Sequence, residues 1–239
     1  MMLNYLSALV LIAVSLSILM AGAWVVQQRS GNSGWVDTIW TFSLGLVGAA
    51  SALWPIEGAM PNARQWLVAG LVAIWSLRLG LHIAVRSSGI ADDPRYASFA
   101  KEWGLNAPRR MFIFLQNQAL GTIPLAFSIF VAARFPQATL RLQDYLGVLI
   151  LLVGIAGEAL ADAQLKRFRD NPANKGQVCD IGLWRWSRHP NYFFEWVGWL
   201  AYPVIGLSLH YPWGIATLLE PIFMYWILVC VTGIPSLGA

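Results

Sequence analysis

Residues 182–198 read GLWRWSRHPNYFFEWVG. Arg185, Arg188, His189, Asn191 and Glu195 fall within eleven residues, and Trp184, Trp186, Tyr192, Phe193, Phe194 and Trp196 stand between and beside them. Pro190 suits the first turn of a helix, so the stretch reads as a basic loop running into a long apolar helix. A helix N-terminus offers free N–H groups and a positive dipole end. With two arginines and a histidine just ahead of it, this one is suited to an anion, phosphate above all. The same residues also suit a membrane-interface loop with an aromatic belt and snorkelling arginines, and at this level both readings stay open.

The rest of the chain decides what kind of helix follows. Of 239 residues, 57% are hydrophobic and 12% charged, about half the charged share of a soluble domain; mean hydropathy is +0.57. These values describe a single all-α membrane domain. Apolar runs of about 20 residues, the length that crosses a bilayer, fall at 3–26, 35–54, 65–86, 110–133, 143–165, 190–209 and 212–231. The first is long for a signal peptide and has no basic n-region, so it reads as a retained transmembrane helix. Thirteen tryptophans fit interfacial anchoring. Cys179 and Cys230 have no metal-ligand company.

Lysine and arginine set the expected orientation. The loops after the first, third and fifth spans hold Arg29; Arg86, Arg95, Lys101, Arg109 and Arg110; and Lys166, Arg167, Arg169, Lys175, Arg185 and Arg188. The loops after the second and fourth hold Arg64, Arg134 and Arg141. The positive-inside rule places the basic loops in the cytoplasm, the N-terminus outside and the C-terminus cytoplasmic. The small net charge of +4, confined to loops, speaks for topology and an anionic ligand and not for nucleic acid. The third loop, SSGIADDPRYASFAKEWGLNAPRR, is expected to form a short helix on the membrane face, with Asp92, Asp93, Arg95 and Tyr96 either lining a polar site or simply solvated.

Charge inside a span is costly and marks functional candidates. Asp37 opens the second span. Arg78 and His82 lie four apart on the third, and Glu158 and Asp162 four apart on the fifth, with Arg169 continuing that stripe. Two structural alternatives stand beside a functional role: a buried ion pair joining Asp37 to Arg78 and His82, and a water-facing helix end with Lys166 as the i+4 partner of Asp162. Glu57 and Glu220 lie near span ends, where a carboxylate reaches water. In the functional reading, Glu158, Asp162 and Arg169 descend one helix while Arg185, Arg188, His189 and Asn191 lead into the next, and together they ring a nucleotide. Its ribose or adenine would go to the carboxylates and its phosphates to the arginines. No dinucleotide-binding glycine fingerprint, Walker loop, serine-hydrolase elbow or zinc-protease helix is present.

Arg188-His189-Pro190-Asn191-Tyr192, preceded by Gly182-Leu183-Trp184 and followed by Glu195, resembles the C-terminal domain of the steroid 5α-reductase family, and more closely its short bacterial membrane relatives. The Arg-His-Pro-x-Tyr element also marks the isoprenylcysteine carboxyl methyltransferases, so it is specific for the superfamily and not for one of its two chemistries. The resemblance covers most of the chain and is strongest from Tyr145 onward. It implies a seven-helix bundle in a bacterial inner membrane that reduces a conjugated C=C bond of a steroid-like or other lipophilic substrate. NADPH would lie at the cytoplasmic side, held by the residues matching the family's, Asp162, Arg169, Asn191 and Glu195; Glu158 stands where the family often has asparagine. A carboxylate and a tyrosine hold the enone carbonyl in those enzymes. Asp37 matches the carboxylate, either protonated or beside His82, which stands near the tyrosine's place. The family continues past its last span into a basic tail that helps close the cofactor site, whereas this chain stops at GIPSLGA. The alternatives are a methyltransferase that holds S-adenosylmethionine with His189 and the same loops, and a non-catalytic membrane protein.

Overall fold

Glycine and small side chains decide how closely the helices approach. In the computed structural model, which describes residues 2–55 and 59–231, the chain is helical and no strand occurs among the described residues. Glu57 and the closing GIPSLGA lie outside them. The helices are α1 (Met2–Ser30), α2 (Gly34–Leu53), α3 (Ala63–Ser88), α4 (Pro94–Trp103), α5 (Ala107–Ala133), α6 (Leu142–Asp170), α7 (Pro190–Trp199), α8 (Ala201–Gly206) and α9 (Leu219–Trp226). Six helical stretches are long and apolar enough to cross a membrane: α1, α2, α3, α4 running on into α5, α6, and the 3-10, α9 and π turns between Pro212 and Cys230. This is an integral membrane helix bundle.

The expected span at 190–209 is shorter than drawn. It breaks at Leu200 into α7 and α8 and ends at Gly206. Pro203 is the physical reason. It has no N–H for the Trp199 carbonyl and its ring crowds that carbonyl, so the chain tightens there, with the Leu200 N–H bonded to the Val197 carbonyl at 3.1 Å. Pro212 and Pro221 similarly divide the last span into a 3-10 entry, Pro212–Leu218, and α9.

α1 and α2 pack on each other and on α5, α2 packs along α3, and α6 packs on α7 and α8. α1 buries Tyr5, Ala8, Ile12, Leu16, Met20 and Ala23, one stripe at helical spacing, and leaves Leu6, Val10, Val14 and Ile18 exposed, as a lipid-facing surface does. The α6–α7 contact is set by glycine. A Cβ on Gly154 would lie 2.7 Å from the Cα of Gly198, so the two backbones meet as small-residue interfaces allow. Glu158 lies one turn beyond Gly154 and Glu195 one turn before Gly198, so this contact brings the two carboxyls together.

One end of the bundle is pinned by charge. Arg64 and Asp144 are both fully buried. Arg64 Nε and Nη2 donate to Asp144 at 2.9 and 2.8 Å, and its other N–H groups go to the carbonyls of Phe135, Gln137 and Thr139, which uses the whole guanidinium fork. Arg134 likewise donates to the Ser51 and Trp54 carbonyls, and Arg141 to that of Ile205. The three arginines on this side of the bundle are therefore bound to its own backbone.

Candidate functional site

The other end of the bundle gathers the polar side chains. Arg78, on α3, is the hub. Its Nη1 lies 2.5 Å from Glu158 Oε2 and its Nη2 donates to Asp162 Oδ2 at 2.7 Å, both on α6. His82, one turn along α3, points at the same Asp162 oxygen from 3.6 Å. Asn191, in the first turn of α7, donates to the other Asp162 oxygen at 3.4 Å. One layer deeper, Glu195 accepts the Trp75 indole N–H at 3.0 Å and the Trp199 indole N–H at 2.9 Å. Glu158 and Glu195 interact with each other as well. Three helices thus meet around one guanidinium and three carboxyl groups.

A second cluster lies beside the first. Asp37, near the start of α2, accepts from Arg95 Nη2 at 2.5 Å on one oxygen and from the Tyr96 hydroxyl at 2.7 Å on the other. Both donors come from α4. That helix starts because Asp93 caps it, accepting the Arg95 N–H at 3.0 Å ahead of Pro94 at the first turn. It stops where Gly104 takes a positive φ of 53°. Asp92 ties the other side down, accepting the Ser33 N–H at 2.7 Å. Burial pushes the Asp93 carboxyl up, but hydrogen bonds and charge from Arg95 outweigh this and hold it below its ordinary range. Tyr192 of α7 feels the charges of Arg86, Arg95, Asp37 and Asp162, members of both clusters or their neighbours. His189 stacks on Tyr192 with ring centroids 5.4 Å apart; burial and then the neighbouring Arg188 charge lower its pKa.

The basic loop docks on α6 beside Asp162. Trp184 Nε1 donates to the Ala161 carbonyl at 2.8 Å, and Gln164 accepts the Leu183 N–H at 2.8 Å. Arg169, Arg185 and Arg188 are exposed, and none makes an ion pair among the described residues. This contrasts with the arginines at the other end, each of which donates to backbone carbonyls.

Against the sequence expectations, Glu158, Asp162, Asn191 and His82 come together around Arg78, and Glu195 joins them from below. Arg169 follows two turns beyond Asp162 on α6, and Arg185, Arg188 and His189 lie in the loop that docks on α6 and leads into α7. The Asp37–Arg78–His82 ion pair does not form, because α4 supplies Asp37 with its own cation and Arg78 faces α6. His82 is not the neighbour of Asp37; Tyr96 is. Lys166 pairs with Asp170 at 2.6 Å and not with Asp162, since both lie on the exposed face of α6. Glu220 does not reach water: packing of α9 against α5 and α7 leaves it fully buried. No group of three His, Cys, Asp or Glu able to hold a metal occurs among the described residues. An apolar groove of about 380 Å³ between α1 and α2, lined by Leu11, Ile18, Leu46, Val47 and Trp54, lies toward the other end of α2 from Asp37.

A helical membrane bundle with clustered charged and aromatic side chains at one end defines the class. The chain belongs to the DUF1295 family, described as proteins of unknown function, whose family model matches residues 23–239; this is a steroid 5α-reductase-like family. No curated protein and no solved structure matches the chain.

Proposed function

We propose that the protein is an NADPH-dependent membrane reductase that saturates a conjugated C=C bond in a steroid-like or other lipophilic substrate. The observation that carries this reading is the gathering of two polar clusters at one end of the bundle. One holds a carboxylate–phenol pair, and the other holds carboxylates on α6, the helix that together with its following loop also carries exposed, unpaired arginines.

The donor set suits a phosphorylated dinucleotide. Arg169, Arg185 and Arg188 are unencumbered cations for phosphates. Asp162 keeps accepting capacity on the oxygen that meets Asn191 only at 3.4 Å, which suits a ribose hydroxyl. Asn191 and His189 flank it, while Glu158 and Glu195 orient Arg78 and α7. NADPH, when bound, supplies hydride to the β-carbon of an enone.

In the other cluster Arg95 holds one oxygen of Asp37 and the other accepts the Tyr96 hydroxyl. When substrate arrives, Tyr96 turns its single O–H from Asp37 to the enone carbonyl, whose polarisation makes the β-carbon electrophilic. His82, beside Asp162, serves the cofactor side of the site. The substrate enters from the bilayer and the cofactor from the cytoplasm, with the protein in a bacterial inner membrane, as the distribution of free arginines supports.

The test is a thermal-shift comparison of NADPH, NADH and S-adenosylmethionine on detergent-purified protein, in which a ligand at about 100 times its dissociation constant adds about 2.7 kcal/mol. NADPH is expected to stabilise, and Arg188→Ala to remove the shift. Stabilisation by S-adenosylmethionine alone would make the protein a methyltransferase instead.

A further inference from the structure

We propose that the groove between α1 and α2 binds a membrane phospholipid with an anionic headgroup, its acyl chain lying along the groove and its phosphate on Arg134. The groove exists because its walls carry small side chains. Ala8 and Ser15 of α1 and Ala50 and Ser51 of α2 line it, and about 380 Å³ is left between the helices. Leu11, Ile18 and Leu46 beside them are exposed, as lipid-facing side chains are. From Ala8 to Leu19 the α1 wall runs eleven residues, about 16 Å at the helical rise. Half of the bilayer's hydrocarbon core is about 15 Å thick. The groove therefore has the length of an acyl chain within one leaflet.

A cation at one end separates this groove from a plain lipid-facing surface. Ser51, Trp54 and Phe130 all line it, and all three hold Arg134. Arg134 Nη2 donates to the Ser51 carbonyl at 3.2 Å and to the Trp54 carbonyl, and the guanidinium carbon lies 5.1 Å from the Phe130 ring centroid. Those bonds use one nitrogen of the fork. Nε and Nη1 have no hydrogen-bond partner among the described residues, and Arg134 makes no ion pair among them. Arg64, on the same side of the bundle, instead spends its whole fork on Asp144 and three carbonyls. N–H groups left without an acceptor are costly, and a phosphate is an acceptor whose geometry the guanidinium fork matches.

Depth agrees with charge. Trp54 closes α2 and is 46% exposed, and tryptophan at a span end sits at headgroup level. Arg134, bonded to its carbonyl, stands at the same level, where a phospholipid carries its phosphate and where the apolar slot begins. An uncharged lipid fills the slot but leaves the arginine unanswered, so the charge selects an anionic phospholipid. The groove lies toward the other end of α2 from Asp37. Its lipid is therefore separate from the substrate of the reductase reading, and the test needs neither NADPH nor turnover.

The experiment is native mass spectrometry of the delipidated protein in detergent, titrated with dioleoyl phosphatidylglycerol, dioleoyl phosphatidylcholine or glycerol phosphate. One phosphatidylglycerol is expected to bind more tightly than phosphatidylcholine by on the order of tenfold, the worth of one charge-assisted hydrogen bond. Glycerol phosphate, which has no chain, should not bind at the same concentrations. Arg134→Gln should bring phosphatidylglycerol down to the level of phosphatidylcholine, and Ala50→Phe, which fills the groove from an exposed position, should weaken both. Should Arg134→Gln fail to fold, Ala50→Phe, which breaks no hydrogen bond, decides. Equal affinity for the two phospholipids, glycerol phosphate binding as tightly as phosphatidylglycerol, or wild-type phosphatidylglycerol affinity in Ala50→Phe overturns the site. So does displacement of phosphatidylglycerol by an uncharged enone steroid such as progesterone, or a wild-type dimer that Ala50→Phe dissociates, which would give the groove to a second copy of the chain.

Discussion

The hydroxyl of Tyr96, on a short helix between two spans, donates to the carboxylate of Asp37 at 2.7 Å. The neighbouring Arg95 holds the carboxylate's second oxygen from the same helix. Two residues 59 positions apart thereby form one unit. If it is the carbonyl-polarising unit, Tyr96→Phe should lower enone reduction by about 100-fold or more while leaving NADPH stabilisation intact. His82→Ala should act mainly on cofactor affinity. Steady-state reduction of an enone lipid, measured beside the thermal shift, separates the two; an unimpaired Tyr96→Phe enzyme would remove Tyr96 from the chemistry.

The exposed arginines and Asp162 should differ in what they do to the protein without ligand. Arg185→Ala and Arg188→Ala break no ion pair among the described residues, so each should leave the unliganded melting temperature unchanged and weaken NADPH binding, more so at low salt. Asp162→Ala deprives Arg78 of one of its two carboxylates and should cost about 1–3 kcal/mol without ligand. Melting curves with and without NADPH report both.

Gly154 and Gly121 offer a paired test of the helix contact. At Gly154 a Cβ would press on the Gly198 backbone, whereas at Gly121 it would meet open space. Gly154→Ala should destabilise by about 1–3 kcal/mol and loosen cofactor binding by parting Glu158 from Glu195. Gly121→Ala should be neutral or stabilise by up to about 1 kcal/mol. Equal effects at the two positions would refute the backbone-to-backbone packing of α6 on α7.

Removing either member of the Arg64–Asp144 pair should be among the most damaging single changes, about 3–5 kcal/mol, because it strands a buried charge. A double replacement by apolar residues of similar volume should recover much of that loss. A double-mutant cycle by thermal denaturation in detergent measures it.

Acidification should loosen α4 first. The Asp93 carboxyl is held below its unfolded value of 3.8, so its contribution is complete above that pH and disappears as pH falls through the lower folded value. Asp93→Asn should flatten this part of the pH–stability curve. Protease cleavage within 94–103 as pH is lowered, compared between wild type and variant, reads it locally.

Much of the bundle was legible in the sequence because hydrophobic length is a one-dimensional signal. Six of the expected spans appear close to their expected ends, and the short helix in the third loop forms where Asp93 and Pro94 open it. The 190–209 span was overdrawn because hydropathy does not register what Pro203 does to the Trp199 carbonyl. The spacing of Glu158 and Asp162 correctly put them on one face, but which cation they would meet was hidden. Asp37 was the expected partner of Arg78, and only the packing of α3 against α6 gives Arg78 to Glu158 and Asp162 instead. Tyr96 was visible as a polar-loop residue, yet its bond to Asp37 depends on how α4 folds back over α2. Glu220 was misplaced for a related reason: nearness to a span end suggests water, and only the packing of α7 and α9 closes it off.

The two ends of the bundle differ in mechanical character. Where Arg64 is fixed to Asp144 and three carbonyls, relative sliding of α3 and α6 would break five hydrogen bonds at once. At the opposite end the same two helices are joined by the Arg78 guanidinium and the longer His82–Asp162 contact, and Arg169, Arg185 and Arg188 make no ion pair among the described residues. Any splaying that admits a guest should therefore pivot about Arg64, with its largest amplitude near Asp162. A spin-label pair across α3 and α6 would show little spread near Arg64 and a broad distance distribution near His82.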